Sequence, residues 1–442
     1  MHNKNPKLLF FAWQFPPARA MASVRTWNIA KYLARLGWDV TVVTPNPSVW
    51  RHVDDPNKTI DDLKKEGIRR IITGHGWRCL DPNNLNCWNE GAGWFAGGIC
   101  RRLVKRFGSD SAIGWVNAAQ RACSHIELGS SDIILASGPP FSTFLLAQRL
   151  SKRLDLPYVL DYRDTWTVDP HSDQSAKAST IRKEANLLAN SAAVTIVCDS
   201  WGSLLDRQYG LASKLKVITN GYDREDLATV KPHSFGHFAI VYAGSFYPPK
   251  RVISPVMAAL GRIKTAAEAN ATEWYFHYFG QQPDHVRHEA ERFGVMERVV
   301  FHGNVARSDV LAALRGAGVG IVITSILEGK SQEDEGIVPG KFFEIVGLGT
   351  PVLLIAPAEG DIHRIAETTA LVHSFTGANI DGISNFLRHA INGNVPRGKS
   401  PEAYTWANVA KKLDSVLREA VKRKTVPSYI ENRSRRHIAP FA

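Results

Sequence analysis

The stretch Val338-Pro339-Gly340-Lys341-Phe342-Phe343-Glu344-Ile345-Val346-Gly347-Leu348-Gly349-Thr350-Pro351-Val352-Leu353-Leu354-Ile355 decides how this chain is read. Pro339 and Gly340 suit a helix entry, Gly349 suits a left-handed helix stop, and Pro351 forbids continuation. The segment therefore predicts a loop, a short helix, a tight turn and a buried strand. On that helix Lys341 and Glu344 share a face, while Phe342, Phe343, Ile345, Val346 and Leu348 cover the rest. The first turn leaves backbone N–H groups free beside Lys341, which is a seat for phosphate. Glu344 lies one turn deeper, where a carboxylate accepts hydrogen bonds from sugar hydroxyls. Together the residues suggest a nucleotide-sugar site; an αβ unit with a surface ion pair is the plainer reading of the same pattern.

Working outward, 442 residues exceed what one core usually supports, so two domains are expected. An apolar content of 44% with 22% charged residues describes a globular chain. The formal charge of +12 favours an anionic partner: nucleic acid, an anionic membrane or a phosphorylated substrate. Nucleic acid is disfavoured, because the basic residues are not interleaved with aromatics in a recognisable module. The cysteines, Cys79, Cys87, Cys100, Cys123 and Cys198, show no C-x-x-C spacing. They give neither a zinc site nor a disulfide framework, and a reducing cytoplasm fits. Leu8 to Trp13 is a short apolar run followed by Gln14 and Pro16, a strand and not a signal peptide. No segment approaches the roughly 20 apolar residues of a spanning helix, so any membrane contact is expected to be peripheral.

Strand and helix patterns alternate along the chain. Leu8–Trp13 and Val40–Val43 read as strands around a helix that begins near Val24 and stops at Gly37. Strands at 131–136, 158–160, 193–197 and 215–218 follow, the last three each after a helical stretch. Arg224 to His237 reads as a linker. A second series opens with Phe238–Ala243 and continues through 274–279, 299–302, 319–323 and the stretch quoted above. Such alternation implies parallel sheets covered on both faces, with ligands at their carboxyl edges. From Tyr404 to Lys422, Trp406, Val409, Ala410, Leu413, Val416, Leu417 and Ala420 repeat at helical spacing. That helix is long enough to cross back to the first domain. The expected division is 1–225, 236–403, and a crossover helix with a basic tail at 404–442.

The segment from Lys341 to Val352 resembles the donor-binding segment of glycosyltransferase family four, where a Glu precedes a small-residue turn and a G-x-P-V strand. Ser137-Gly138-Pro139-Pro140 and Asp161-Tyr162-Arg163-Asp164-Thr165-Trp166 resemble the S-x-P-P and D-x-R-D-x-W of a bacterial cell-envelope subgroup. The resemblance covers nearly the whole chain and is weakest between Ser48 and Ile126. It implies the GT-B architecture: α/β, two doubly wound Rossmann-like domains facing across a cleft, the C-terminal helix returning to the N-terminal domain. It also implies a retaining, metal-independent transferase that needs no cofactor beyond its nucleoside diphosphate sugar. That enzyme would move a sugar to a glycan or polyprenyl-linked acceptor in cell-envelope polysaccharide synthesis, in the cytoplasm or at the inner face of the plasma membrane.

Carried onto this chain, the resemblance places the donor on Gly244, Ser245, Lys250, Arg251, Lys341, Phe342 and Glu344. The acceptor falls near Ser23, Arg25 and Pro139, and the catalytic group comprises Asp161, Arg163, Asp164 and Glu335. Departures are plain. Ser245 stands where the family has Arg, and Gly336 stands eight positions before Glu344 where the family has Glu, leaving Glu335 to take that role or to lie in a solvated acidic loop. The first loop, Phe15 to Arg25, has no glycine; Arg25 binds an anionic acceptor or lies on the helix surface. Between Gly91 and Phe107, Trp94, Phe95, Ile99, Leu103 and Phe107 recur beside Arg101, Arg102, Lys105 and Arg106. Such a helix lies on anionic lipid or packs within the first domain. A sugar-nucleotide epimerase of the same fold, or a silent glycan-binding protein, are the other readings.

Overall fold

Short runs of branched and aromatic residues, each closed by a turn former, become parallel strands in a computed structural model that describes residues 5–50, 52–74, 110, 112–127, 130–168, 176–266, 272–327 and 332–425. The first half runs β1 (Lys7–Ala12), α1 (Met21–Arg35), β2 (Asp39–Pro45), α2 (Pro56–Lys65), β3 (Arg69–Thr73), α3 (Ile113–Ala122), β4 (Ile133–Gly138), α4 (Ser142–Leu154), β5 (Tyr158–Tyr162), α5 (Ala178–Ala189), β6 (Ala193–Ile196), α6 (Asp199–Tyr209), β7 (Leu215–Val217) and α7 (Arg224–Ala228). The second half runs β8 (Phe238–Ala243), α8 (Ser254–Ala266), β9 (Trp274–Phe279), α9 (Pro283–Arg292), β10 (Val299–Gly303), α10 (Arg307–Gly316), β11 (Val319–Ile323), α11 (Gln332–Glu335), α12 (Gly340–Gly347), β12 (Val352–Ile355), α13 (Asp361–Ala366), β13 (Val372–Phe375), α14 (Ile380–Ile391) and α15 (Trp406–Thr425).

Two parallel sheets result, ordered β3-β2-β1-β4-β5-β6-β7 and β10-β9-β8-β11-β12-β13. In each, the winding direction reverses beside the first strand, between β1 and β4 and between β8 and β11. Loops diverge there at the carboxyl edge and leave a crevice. The two Rossmann-like domains and the GT-B arrangement are as expected.

The returning helix α15 packs its apolar stripe on the first sheet's α1 side, with Leu413 and Leu417 fully buried. Each such leucine contributes about 1.5–3 kcal/mol. Polar contacts fix its register: Trp38 donates to Asp414 at 2.6 Å and Arg418 to the carbonyl of Leu36 at 3.0 Å. A single apolar cluster joins the domains, running from Trp201 on α6 to Ile337, Val338, Phe342 and Phe343 around α12.

One expectation meets the structure differently. The stretch 224–237 is not wholly a linker: it opens with α7, because Asp223 caps the helix by accepting from the N–H groups of Glu225 and Asp226 at 3.0 and 3.3 Å. Within 48–126, α2 and β3 extend the first sheet to its edge. The basic, aromatic stretch 91–107 and the tail beyond 425 lie outside the described residues. No described helix is long and apolar enough to cross a membrane.

Candidate active site

On the second domain's wall, β8 ends and Gly244 follows at φ +139°, a conformation that L side chains rarely adopt. A β-carbon there would stand 2.9 Å from Nζ of Lys341. That ammonium donates to the carbonyl of Ala243 at 3.0 Å and lies 4.1 Å from the centre of the Tyr242 ring. Lys341 sits in the first turn of α12, whose N-cap, Pro339, supplies no side-chain hydrogen bond and whose first turn holds no acid. The loop after Gly244 folds back on itself through two 2.9 Å backbone bonds between Tyr247 and Arg251. The Arg251 guanidinium rests 5.2 Å from the Tyr247 ring, and its buried Nε has no hydrogen-bond partner among the described residues. Burial, and then the charge of Arg251, hold the Lys341 ammonium well below the usual lysine range. Arg251 thus lies near enough for its charge to act on Lys341, and no described carboxylate pairs with either. Lys250 differs, since it pairs with Asp334 of the acidic segment at 3.0 Å.

Glu344 is buried one turn further in. Arg307, at the start of α10, donates to it from Nε and Nη2 at 2.8 and 2.5 Å. Burial raises the Glu344 carboxyl above its ordinary range, with Arg307 opposing. Phe342 is fully enclosed in the interdomain cluster, and Ser245 offers its carbonyl to the Tyr242 hydroxyl at 3.1 Å.

On the first domain's wall, Arg25 and Asp161 are buried against each other instead of lining the cleft. Arg25 donates to the two carboxylate oxygens of Asp161 at 2.6 and 3.1 Å, and to the carbonyls of Ile218 and Thr219 and the side chain of Asn220. Ser137 and Thr195 add bonds to Asp161 at 2.7 and 2.9 Å. Burial alone would raise the Asp161 carboxyl; the charge and hydrogen bonds of Arg25, with those of Ser137 and Thr195, outweigh it and hold the group below the usual range. Arg25 is therefore neither on the helix surface nor open to a ligand.

Arg163 differs. Burial pushes its guanidinium down to about 10, and its Nη1 is sealed without a partner among the described residues. Ser23, in the first turn of α1, likewise has a sealed, unpartnered Oγ. Such groups call for an explanation, and a ligand at the carboxyl edge is one. Pro139 lies between Gly138, whose carbonyl accepts from the N–H of Arg163 at 2.8 Å, and Pro140. Trp166 stacks on Phe141 at 4.9 Å, closing the loop that carries Arg163 and Asp164.

The acidic segment, expected as a loop, forms α11, and Gly336 just after it reaches the other domain. A β-carbon at Gly336 would overlap the Trp201 indole, so the position expected to hold Glu is filled from across the cleft. Beside it, Asp361 accepts from N and Oγ of Ser200 at 2.8 and 2.9 Å, capping α6 from the second domain. Glu335 is half-buried there. Sequence reasoning missed Arg307, Asp226, Trp201 and Asp361. Each acts across a long separation, and none stands in a motif.

Residues 22–221 match the family model described as a glycosyl transferase 4-like domain. No curated protein matches the sequence. Among solved structures, the chain is similar to a sucrose-phosphate synthase from Thermosynechococcus elongatus, with a TM-score of 0.62 at 13% identity, covering 95% of this chain and 100% of the other. It is also similar to HepE from Anabaena, determined in complex with UDP and glucose, with a TM-score of 0.54 at 15% identity over 95% and 97% of the two chains. A third is the lipopolysaccharide outer core galactosyltransferase WaaB, with a TM-score of 0.55 at 14% identity over 93% and 99%. At these identities the likeness shows the shared fold.

Proposed function

From the match of residues 22–221 to a glycosyl transferase 4-like domain, set in a GT-B fold, we propose that the protein is a retaining glycosyltransferase using a nucleoside diphosphate sugar. The observation that carries this reading is the pairing of Arg251 with Lys341 beside Gly244, two cations without a carboxylate partner among the described residues at an uncapped helix start. A diphosphate supplies the missing negative charge, and the N–H groups of α12 add donors. The ribose then falls to Glu344.

The acceptor hydroxyl attacks the anomeric carbon on the face from which the phosphate departs. The bond from that carbon to the phosphate oxygen breaks, the new glycosidic bond forms, and the hydroxyl proton passes to the leaving phosphate. Configuration is retained, and Lys341 and Arg251 stabilise the charge that develops on the leaving group. Arg163 and Ser23, with their unpartnered sealed atoms, are the acceptor-side groups in this reading. Arg25 and Asp161 hold the floor beneath them. A glycan or polyprenyl-linked acceptor of the cell envelope, met at the inner membrane face, is supported by the likeness to a lipopolysaccharide galactosyltransferase.

Incubating radiolabelled nucleotide sugars with the protein and bacterial envelope lipid extract tests the proposal. Label should enter the lipid fraction from one donor, and Lys341→Ala and Glu344→Ala should each slow transfer about 100-fold or more. Undiminished transfer by both variants would show that the donor site lies elsewhere.

A further inference from the structure

The Glu344 carboxylate is held on one side only. Both hydrogen bonds from Arg307, at 2.8 and 2.5 Å, go to Oε1. Oε2 has no partner among the described residues, and it is not one of the sealed polar atoms, so it keeps an opening. Arg307 is itself fixed from the far side: its Nη1 donates to Asp226 on α7 at 2.9 Å. A guanidinium with five donors in a rigid fork can hold two carboxylates at a set angle, which a lysine cannot.

We propose that Arg307, braced by Asp226, is a positioning residue that occupies Oε1 of Glu344 and turns Oε2 toward the ribose hydroxyls of the donor. The inference rests on the donor-site reading above and adds to it which group orients the carboxylate. It also gives α7 a function. The same short helix begins at Asp223, which accepts from Lys31 at 2.8 Å and from Tyr32 at 3.1 Å, and carries Glu225, which accepts from Arg35 at 2.6 Å. Helix α1 of the first domain is thereby tied, through α7 and Arg307, to the carboxylate in the second.

Arg307 also favours the ionised form of Glu344. Burial favours its neutral form, Asp226 pushes in the same direction, and Arg307 is the charged group that opposes both. Ribose recognition through a carboxylate therefore fails as the pH falls through the Glu344 pKa. Without Arg307 that pKa is higher, so the failure occurs at higher pH.

Calorimetric titration of the full chain separates this role from a merely structural one. The probes are the uridine, adenosine, guanosine and cytidine diphosphates, then the 2′,3′-dideoxy form of whichever binds. Wild type should prefer the ribose form by about tenfold or more. In Arg307→Gln the preference should collapse, the dideoxy probe should bind as in wild type, and the acid loss of ribonucleotide affinity should move to higher pH. Asp226→Asn, a milder change that leaves Arg307 in place, should show a smaller loss of ribose preference, while its acid loss of affinity should move to lower pH, because a charge that favours neutral Glu344 is gone. In a Glu344→Gln background, adding Arg307→Gln should change nothing further. An unchanged ribose preference and pH profile in Arg307→Gln and Asp226→Asn overturns the proposal while leaving the donor site standing. Failure of wild type to bind any of the diphosphates overturns the donor-site reading, and this inference with it.

Discussion

Asp161 is fully enclosed and Arg25 nearly so, and their pairing sets what each can do. A charge in such a place is tolerated only when its partner is aligned and every remaining donor and acceptor is used. Arg25 meets that condition through its bonds to Asp161, Ile218, Thr219 and Asn220. Arg25→Met should cost about 3–5 kcal/mol in chemical denaturation, because Asp161 is left as an uncompensated buried charge. The pH dependence follows from the direction of the shift. The Asp161 carboxyl is held below its ordinary value in the folded chain. Its pair contributes stability that is fully present above the unfolded value of about 3.9 and is lost as the pH falls through the lower folded value. In Arg25→Met, lowering the pH from neutral should narrow the stability gap to wild type. A constant gap down to acid denaturation would argue against the ion pair as its source.

At the scale of elements, α7 is the piece that composition hid. Its cap, Asp223, satisfies two N–H groups of the first turn and also accepts from Lys31 and Tyr32 of α1. Asp223→Ala should therefore destabilise the chain by more than the roughly 0.5–2 kcal/mol of a lost cap, measured by urea unfolding. A loss within that range would mean that the ties to α1 contribute nothing. The larger elements were legible because their periodicity is strong. The run Leu8 to Trp13, the helix stop at Gly37 and the stripe from Trp406 to Ala420 each read directly from spacing, as did the turn at Gly349, where φ is +69°. A five-residue helix in a polar segment has too few apolar positions to show a period, and only Asp223 ahead of Glu225 and Asp226 signalled it. Parts of the site were legible for a similar reason: Lys341 and Glu344 stand in one short helix with its own start and stop. Arg307 precedes Glu344 by 37 residues and Trp201 comes from the other domain, so no local pattern could pair them with α12. Arg25 was misplaced because amphipathic spacing does not disclose a buried carboxylate 136 residues away.

At the scale of the molecule, two sheets bring their carboxyl edges together around one apolar cluster, and the polar groups in the walls around the cleft are of two kinds. Those already satisfied, such as Arg25 with Asp161 and Lys250 with Asp334, set its shape. Those with a sealed atom left unpartnered among the described residues, Ser23 and Arg163 on one wall and Arg251 on the other, are the groups that the proposed substrates would engage. Gly336 and Trp201 close the space between the walls where a carboxylate was expected, and Asp361 fastens the second domain to the start of α6. In the proposed donor site, a nucleoside diphosphate fills the charge deficit between Arg251 and Lys341. The most direct measurement is diffraction from crystals of the full chain grown with the nucleoside diphosphate that binds. The diphosphate should lie between Arg251, Lys341 and the first turn of α12, with the ribose hydroxyls on Oε2 of Glu344. A diphosphate bound elsewhere, with Lys341 still turned onto the carbonyl of Ala243 and the Tyr242 ring, would contradict the account.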